Sequence, residues 1–107
     1  MKTRIYLDNA ATTRTSQEVV DAMLPYFTES YGNPSSIYEL GQRSKEAITK
    51  AREEIAQVIG AKTEEIYFTA GGSEADNWAI KAAYEAYKNK GNHIITTKIE
   101  HHAVLHT

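Results

Sequence analysis

The apolar positions recur along the chain in two rhythms. Val19, Val20, Met23, Leu24 and Phe27 return at helical spacing, which predicts a helix over residues 16–31. Ser16 is its expected N-cap, and Pro25 inside the pattern predicts a kink or break. Ala47, Ile48, Ala51, Ile55, Val58 and Ile59 make the apolar stripe of a second helix over residues 42–59, with Lys45, Glu46, Lys50, Glu53 and Glu54 on its wet side. Gly60 is a natural stop, and Glu46 and Lys50 are placed for an i,i+4 ion pair. Ala79, Ile80, Ala83, Tyr84 and Tyr87 predict a third helix over residues 78–90 with that face toward a core. Ala103-Val104-Leu105 reads as the opening turn of a fourth.

The other rhythm is β-like. Glu65-Ile66-Tyr67-Phe68-Thr69 and His93-Ile94-Ile95-Thr96-Thr97 are short and rich in β-branched and aromatic residues, so each predicts a strand. With a helix between them they form a βαβ unit, which implies parallel strands and a right-handed crossover. The expected class is α/β. Parallel strands end on one side, and open α/β sheets bind ligands at that carboxyl edge. This topology puts Gly71, Gly72, Ser73, Glu100 and His101 in one neighbourhood.

Between strand and helix lies Thr69-Ala70-Gly71-Gly72-Ser73-Glu74. Two glycines allow a sharp turn and a close approach of backbone to a ligand. Ser73 follows at a helix start, where its hydroxyl caps free N–H groups or meets an anion. A helix N-terminus carries unpaired N–H groups and the positive end of the macrodipole, a common seat for phosphate. The turn matches neither the spaced dinucleotide fingerprint nor the Gly-Lys-Ser/Thr of a nucleotide P-loop.

Two further loops are candidates. Asp8-Asn9-Ala10-Ala11-Thr12-Thr13 is small and polar, and reads either as plain surface or as a place of close approach. Tyr31-Gly32-Asn33-Pro34-Ser35-Ser36 is a breaker segment in which Ser35 or Ser36 caps the next helix, or which closes over a site. The histidines at the carboxyl edge have three readings. They are surface or structural groups, metal ligands (His102 and His106 share a helix face, with His101 or Glu100 beside them), or an aromatic lid that stacks on a flat phosphorylated cofactor and passes protons.

Composition narrows the classes. The 107 residues suggest one domain or part of one, with 41% hydrophobic and 24% charged residues and a net charge of -2. No basic field argues for direct nucleic-acid binding, and no apolar run is long enough to cross a bilayer. The start, Met1-Lys2-Thr3-Arg4-Ile5, lacks the apolar core of a signal peptide, so a cytoplasmic location is expected. There is no cysteine, hence no disulfide framework, thiolate metal site or cysteine nucleophile in these residues. No metal site is expected, because no second ligand cluster stands upstream of the histidines. Two strands and about three helices leave an open sheet edge, and the chain stops inside a predicted helix, so it is expected to be the first part of a larger fold.

Taken together, Tyr6-Leu7-Asp8-Asn9-Ala10-Ala11-Thr12-Thr13, Tyr31-Gly32-Asn33-Pro34-Ser35-Ser36, Gly41, Ala51-Arg52, Glu65 to Glu74, Asn77, and His93 to Thr97 with Ile99-Glu100-His101 and Ala103-Val104-Leu105 occur in this order. This set resembles the N-terminal part of cysteine desulfurases of the iron–sulfur-assembly type, pyridoxal-phosphate enzymes related to the class V aminotransferases. The resemblance covers nearly the whole chain.

It implies the fold type I, aspartate aminotransferase-like architecture. Residues 1–15 would be a segment near the active site and small domain, and residues 16–107 the start of the large cofactor-binding domain. It implies that Gly72 and Ser73 bind the phosphate of pyridoxal 5′-phosphate and that His101 stacks on its ring and moves protons. It places Asn9, Ala10 and Ala11 on the substrate side, and the Gly-Asn-Pro-Ser-Ser segment near the active-site mouth and a dimer contact.

The implied reaction takes sulfur from L-cysteine, leaves L-alanine, and carries the sulfur as a persulfide on an enzyme cysteine. A homodimer and sulfur acceptors, either an iron–sulfur scaffold or tRNA-thiolation proteins, are implied as partners. Ser73 stands where threonine is more usual, Tyr38 where histidine is common and Arg14 where proline is frequent, while His102 adds a second histidine. The family's Schiff-base lysine, pyridine-facing aspartate, substrate arginine and persulfide cysteine have no counterpart in these residues, so the chain alone is expected to be inactive. The rival within the family is a selenocysteine lyase or class V aminotransferase. The rival outside it is a non-catalytic α/β module that binds a phosphorylated small molecule.

Overall fold

The structure, a computed structural model, describes residues 5–107, so the first four residues of the expected 1–15 segment lie outside it. The described chain divides at Glu65/Ile66 into two compact units.

The first unit opens with an exposed turn in which the Ala11 N–H donates to Asp8 O at 3.1 Å. The predicted helix over 16–31 forms as two pieces. Helix α1 spans Gln17–Met23, with the Ser16 hydroxyl accepting from the Val19 N–H as predicted. Helix α2 spans Pro25–Thr28 and has proline at its first position. The break falls at Leu24/Pro25, where the ring's fixed φ suits a helix start and its missing N–H cannot continue the previous ladder. The helix also stops three residues short of Tyr31, closed by the Ser30 N–H on Pro25 O at 2.8 Å.

Helix α3 spans Glu39–Ile59, starting one turn before the predicted Gln42. Its N-cap is Tyr38, which gives no side-chain cap, so neither Ser35 nor Ser36 has the capping role expected of it. Instead the Ser35 N–H donates to Asn33 Oδ1 at 2.9 Å, and Ser36 O accepts from Gln42 Nε2 at 2.6 Å. The Ser44 hydroxyl, buried, donates to Ser30 O at 3.1 Å, 14 residues back.

The loop is therefore tied to α3 rather than capping it. The buried positions on α3 are Gly41, Ser44 and Ala56, small residues that a count of large apolar side chains overlooks. Ala56 is 3% exposed, while the stripe residue Val58 stays 85% exposed. Lys50 pairs with Glu54 at 3.9 Å rather than with Glu46, and both side chains are exposed, so the pair adds little. Gly60 ends the helix in the left-handed conformation, φ 70°, as predicted. A 3₁₀ turn at Thr63–Glu65 follows, which removes Glu65 from the expected strand.

In the second unit, helix α4 spans Gly72–Tyr87. It begins at the helix start expected beside Ser73 and ends three residues before Lys90, so the glycine turn is itself the first turn of the helix. Tyr67 packs edge-on against Trp78 with ring centroids 5.1 Å apart, which fastens the incoming segment to α4. Tyr84 and Tyr87 do not enter a closed core. They remain 44% and 57% exposed and line an open cavity of about 340 Å³ with Ile80, His93 and Ile94. Helix α5 spans His102–Leu105, where a helix was expected to open, and packs against α4.

The expected βαβ unit is not formed among the described residues. Residues 66–69 and 93–97 are not strands, and no strand forms among the described residues. A strand exists through its ladder, in which the N–H and C=O groups of one segment pair with those of another. No helix among the described residues is long and apolar enough to cross a membrane.

Candidate functional site

The site is assembled from two helix starts in the second unit. At the first, Gly71 is the N-cap of α4 in an extended backbone with φ 173°. Any residue adopts that backbone, and a Cβ on Gly71 or Gly72 would meet no protein atom within 4 Å. The turn's protein surroundings therefore do not require glycine. What the missing side chains leave is unobstructed approach to the backbone.

The turn is closed on its own side. The Thr69 hydroxyl donates to Gly71 O at 3.1 Å, and the Ala70 N–H donates to Glu74 Oε2 at 2.7 Å. Glu74 thus directs its carboxylate back toward Ala70, as a capping-box acid does. The Ala75 N–H makes the first bond to the cap residue, to Gly71 O at 3.2 Å, so the N–H groups of Gly72, Ser73 and Glu74 precede the ladder. Ser73 lies inside the first turn rather than at the cap, and no described residue hydrogen-bonds its hydroxyl. Three N–H groups, an exposed hydroxyl and the positive end of a 16-residue helix form the donor set a phosphate requires. These residues fit the phosphate of pyridoxal phosphate.

At the second start, His101 is the N-cap of α5. Its ring Nδ1 accepts from the Ala103 N–H at 3.1 Å, and its own carbonyl accepts from the N–H groups of Val104 (2.9 Å) and Leu105 (3.1 Å). The ring is exposed. Glu100 accepts from the Thr97 hydroxyl at 2.8 Å, and so steadies the approach to His101.

The two starts are joined by Asn77. Its Nδ2 donates to Ser73 O at 3.0 Å and to Ala103 O at 3.3 Å, 26 residues away. Sequence reasoning placed Asn77 in the motif set without a task. Its signal was its position one turn after Ser73, on the same face of α4.

His102 and His106 share a face, as their spacing predicted. Their rings are parallel to within 5°, with centroids 5.2 Å apart and His102 Nδ1 3.2 Å from His106 Nε2. No group of three or more potential metal ligands forms among the described residues. Asn9, Ala10 and Ala11 belong to the turn in the first unit, where all three are exposed.

The sequence profile of the aminotransferase class-V family matches residues 5–107. The chain is 62% identical over 103 residues to a cysteine desulfurase IscS of Methanosarcina thermophila, covering 96% of this chain and 26% of that protein. It is 57% identical over 107 residues to the cysteine desulfurase IscS of a Clostridium botulinum strain, covering 100% of this chain and 27% of the other. Among solved structures it is similar to a NifS-like protein, with a TM-score of 0.88 and 41% identity over 97% of this chain and 29% of that one. The chain spans about a quarter of the length of the curated relatives it matches.

Proposed function

The chain belongs to the class-V aminotransferase family, and from that membership we propose that it is part of a cysteine desulfurase that uses pyridoxal phosphate, takes sulfur from L-cysteine and leaves L-alanine. The observation that carries this is the match to relatives named cysteine desulfurase over the whole chain, a length that contains both helix starts. We further propose a cytoplasmic homodimer that hands its sulfur to an iron–sulfur scaffold or a tRNA-thiolation protein.

Each residue then has a task. The N–H of Gly72 and the N–H and hydroxyl of Ser73 hold the phosphate, because they are donors at the positive end of α4 with no competing partner among the described residues. The His101 ring lies along the face of the cofactor and handles a proton beside it. Asn9, Ala10 and Ala11 lie on the substrate side, where small side chains leave room. Residues 1–15 then border the small domain, and residues 16–107 begin the cofactor-binding domain. Residues 66–69 and 93–97 become strands when further chain supplies their ladders. Bound pyridoxal phosphate supplies an electron sink for bond breaking at the amino acid.

The test uses the full-length protein. Supplied with pyridoxal phosphate, L-cysteine and a thiol, it is expected to release alanine and sulfide in equal amounts. Bound cofactor with neither product above the enzyme-free blank would overturn the reading.

A further inference from the structure

Asn77 holds a position that neither cofactor binding nor packing alone explains. It sits half-buried on α4, one turn after Ser73. Lys81 Nζ, which can only donate, lies 2.9 Å from Asn77 Oδ1. That contact fixes the amide's orientation: Oδ1 faces Lys81, and both N–H bonds of Nδ2 are left for Ser73 O and Ala103 O. Ala103 is 8% exposed, and its carbonyl also takes the Thr107 hydroxyl. Its N–H donates to His101 Nδ1. One peptide-linked residue, Ala103, therefore connects the Asn77 amide to the His101 ring.

The bond to His101 has a chemical consequence. Nδ1 accepts, so in the neutral ring the proton is on Nε2. While that bond stands, His101 offers an Nε2–H donor and its ring face. The bonded ring is thus a resting state: in the proposed proton-handling step the Ala103 N–H releases Nδ1, and in the other tautomer Nε2 takes a proton on a ring already in register.

We propose that Asn77 is a positioning residue for His101: by holding Ala103 against the helix that begins at Gly72 and Ser73, it keeps the His101 ring in its Nε2–H tautomer and in fixed register with the phosphate seat. The catalytic part of this assignment rests on the desulfurase reading, but the tautomer itself does not.

The test compares the full-length protein with Asn77→Ala and with Asn77→Asp, which preserves shape and removes both amide donors. Nitrogen-15 NMR of histidine-labelled protein, with cofactor removed, reads the tautomer directly. The parent is expected to show His101 as a single Nε2–H form. Both variants are expected to lose that exclusivity and show a mixture. With cofactor and L-cysteine, both are expected to retain the cofactor absorbance, slow sulfide release about tenfold in kcat with little change in KM, and shift the pH profile.

An unchanged His101 tautomer in folded Asn77→Asp would overturn the proposal, as would variants whose rate and pH profile equal the parent's. Absence of desulfurase activity in the parent would instead overturn the functional reading and leave the NMR comparison intact. Asn77→Ser, which retains one donor, distinguishes support from collapse if Asn77→Ala fails to fold. It is expected to hold the parent tautomer in part, and a fully mixed ring there would count against the proposal.

Discussion

The backbone of α3 at Gly41 passes so close to Asn33 that a Cβ there would lie 2.5 Å from the Asn33 carbonyl oxygen. The same Cβ would meet Ser36 Cβ at 2.7 Å. From the other side, Gly32 approaches Leu40, whose backbone carbonyl a Cβ on Gly32 would overlap. Two glycines and the Gln42 side chain thus fasten the Gly-Asn-Pro-Ser-Ser loop to the start of α3, the Ser44 hydroxyl holds Ser30 just before it, and the Asn33 side chain closes the loop on itself. The alternative that this loop closes over a site as a free lid does not suit that fastening.

Gly41→Ala is therefore expected to force the loop off α3, at a cost of roughly 1–3 kcal/mol, because the obstructing atoms include backbone that cannot rotate away. Limited proteolysis of the full-length protein checks this. Cleavage within residues 31–38 is expected to rise at least several-fold in the variant, and an unchanged digestion pattern would contradict the fastening.

Gly60→Ala isolates a backbone effect. A Cβ at Gly60 meets nothing within 4 Å, yet the residue sits at φ 70°, where an L side chain is strained by about 1–2 kcal/mol. Amide exchange at residues 57–61 is expected to quicken roughly 5- to 30-fold in the full-length variant, the factor that strain corresponds to. Exchange at the parent rate would show that α3 ends without using the left-handed residue.

Ser73→Ala removes one donor from the phosphate seat and leaves the helix end in place. The expected loss of cofactor affinity is about 1.5–3 kcal/mol, the worth of a hydrogen bond to a charged group. Equilibrium dialysis of pyridoxal phosphate against the full-length variant measures it. Retention equal to the parent's would remove Ser73 from the seat.

Glu18 gives a pH dependence with a definite sign. Its own backbone N–H, and after that the Ser16 hydroxyl, hold its carboxyl below the ordinary glutamate value. A lowered folded value means that the stability linked to Glu18 is present above the unfolded carboxylate value and is lost as pH falls through the folded one. Amide protection at the start of α1 is expected to drop in acid, and Ser16→Ala is expected to move the Glu18 midpoint upward. NMR titration reads both, and a midpoint indifferent to Ser16 would contradict the second cause.

Local chemistry was legible without coordinates. The Ser16 cap, the break at Pro25, the left-handed stop at Gly60, the helix opening near Ser73 and the short helix after His101 each depend on a residue and its nearest neighbours along the chain. So did the motif set that resembles the family whose profile matches residues 5–107. The start of α3 was misplaced by one turn at Glu39, because the apolar count began only where large side chains began.

Tertiary structure decided what depends on residues far apart. The buried face of α3 is set by Gly41, Ser44 and Ala56, whose smallness matters only because a loop and a turn come to lie on them. The β-like runs carry the composition of strands and form none, since a ladder is a property of two segments and composition belongs to one. The bond from Asn77 to Ala103 joins residues 26 apart that share no sequence signal, and with the Ala103 N–H it fixes the nitrogen on which His101 carries its proton. The sequence by itself determined which residues open the helices at Gly72 and His102. The tertiary hydrogen bonds, whose partners are close only after folding, decided how those residues are held.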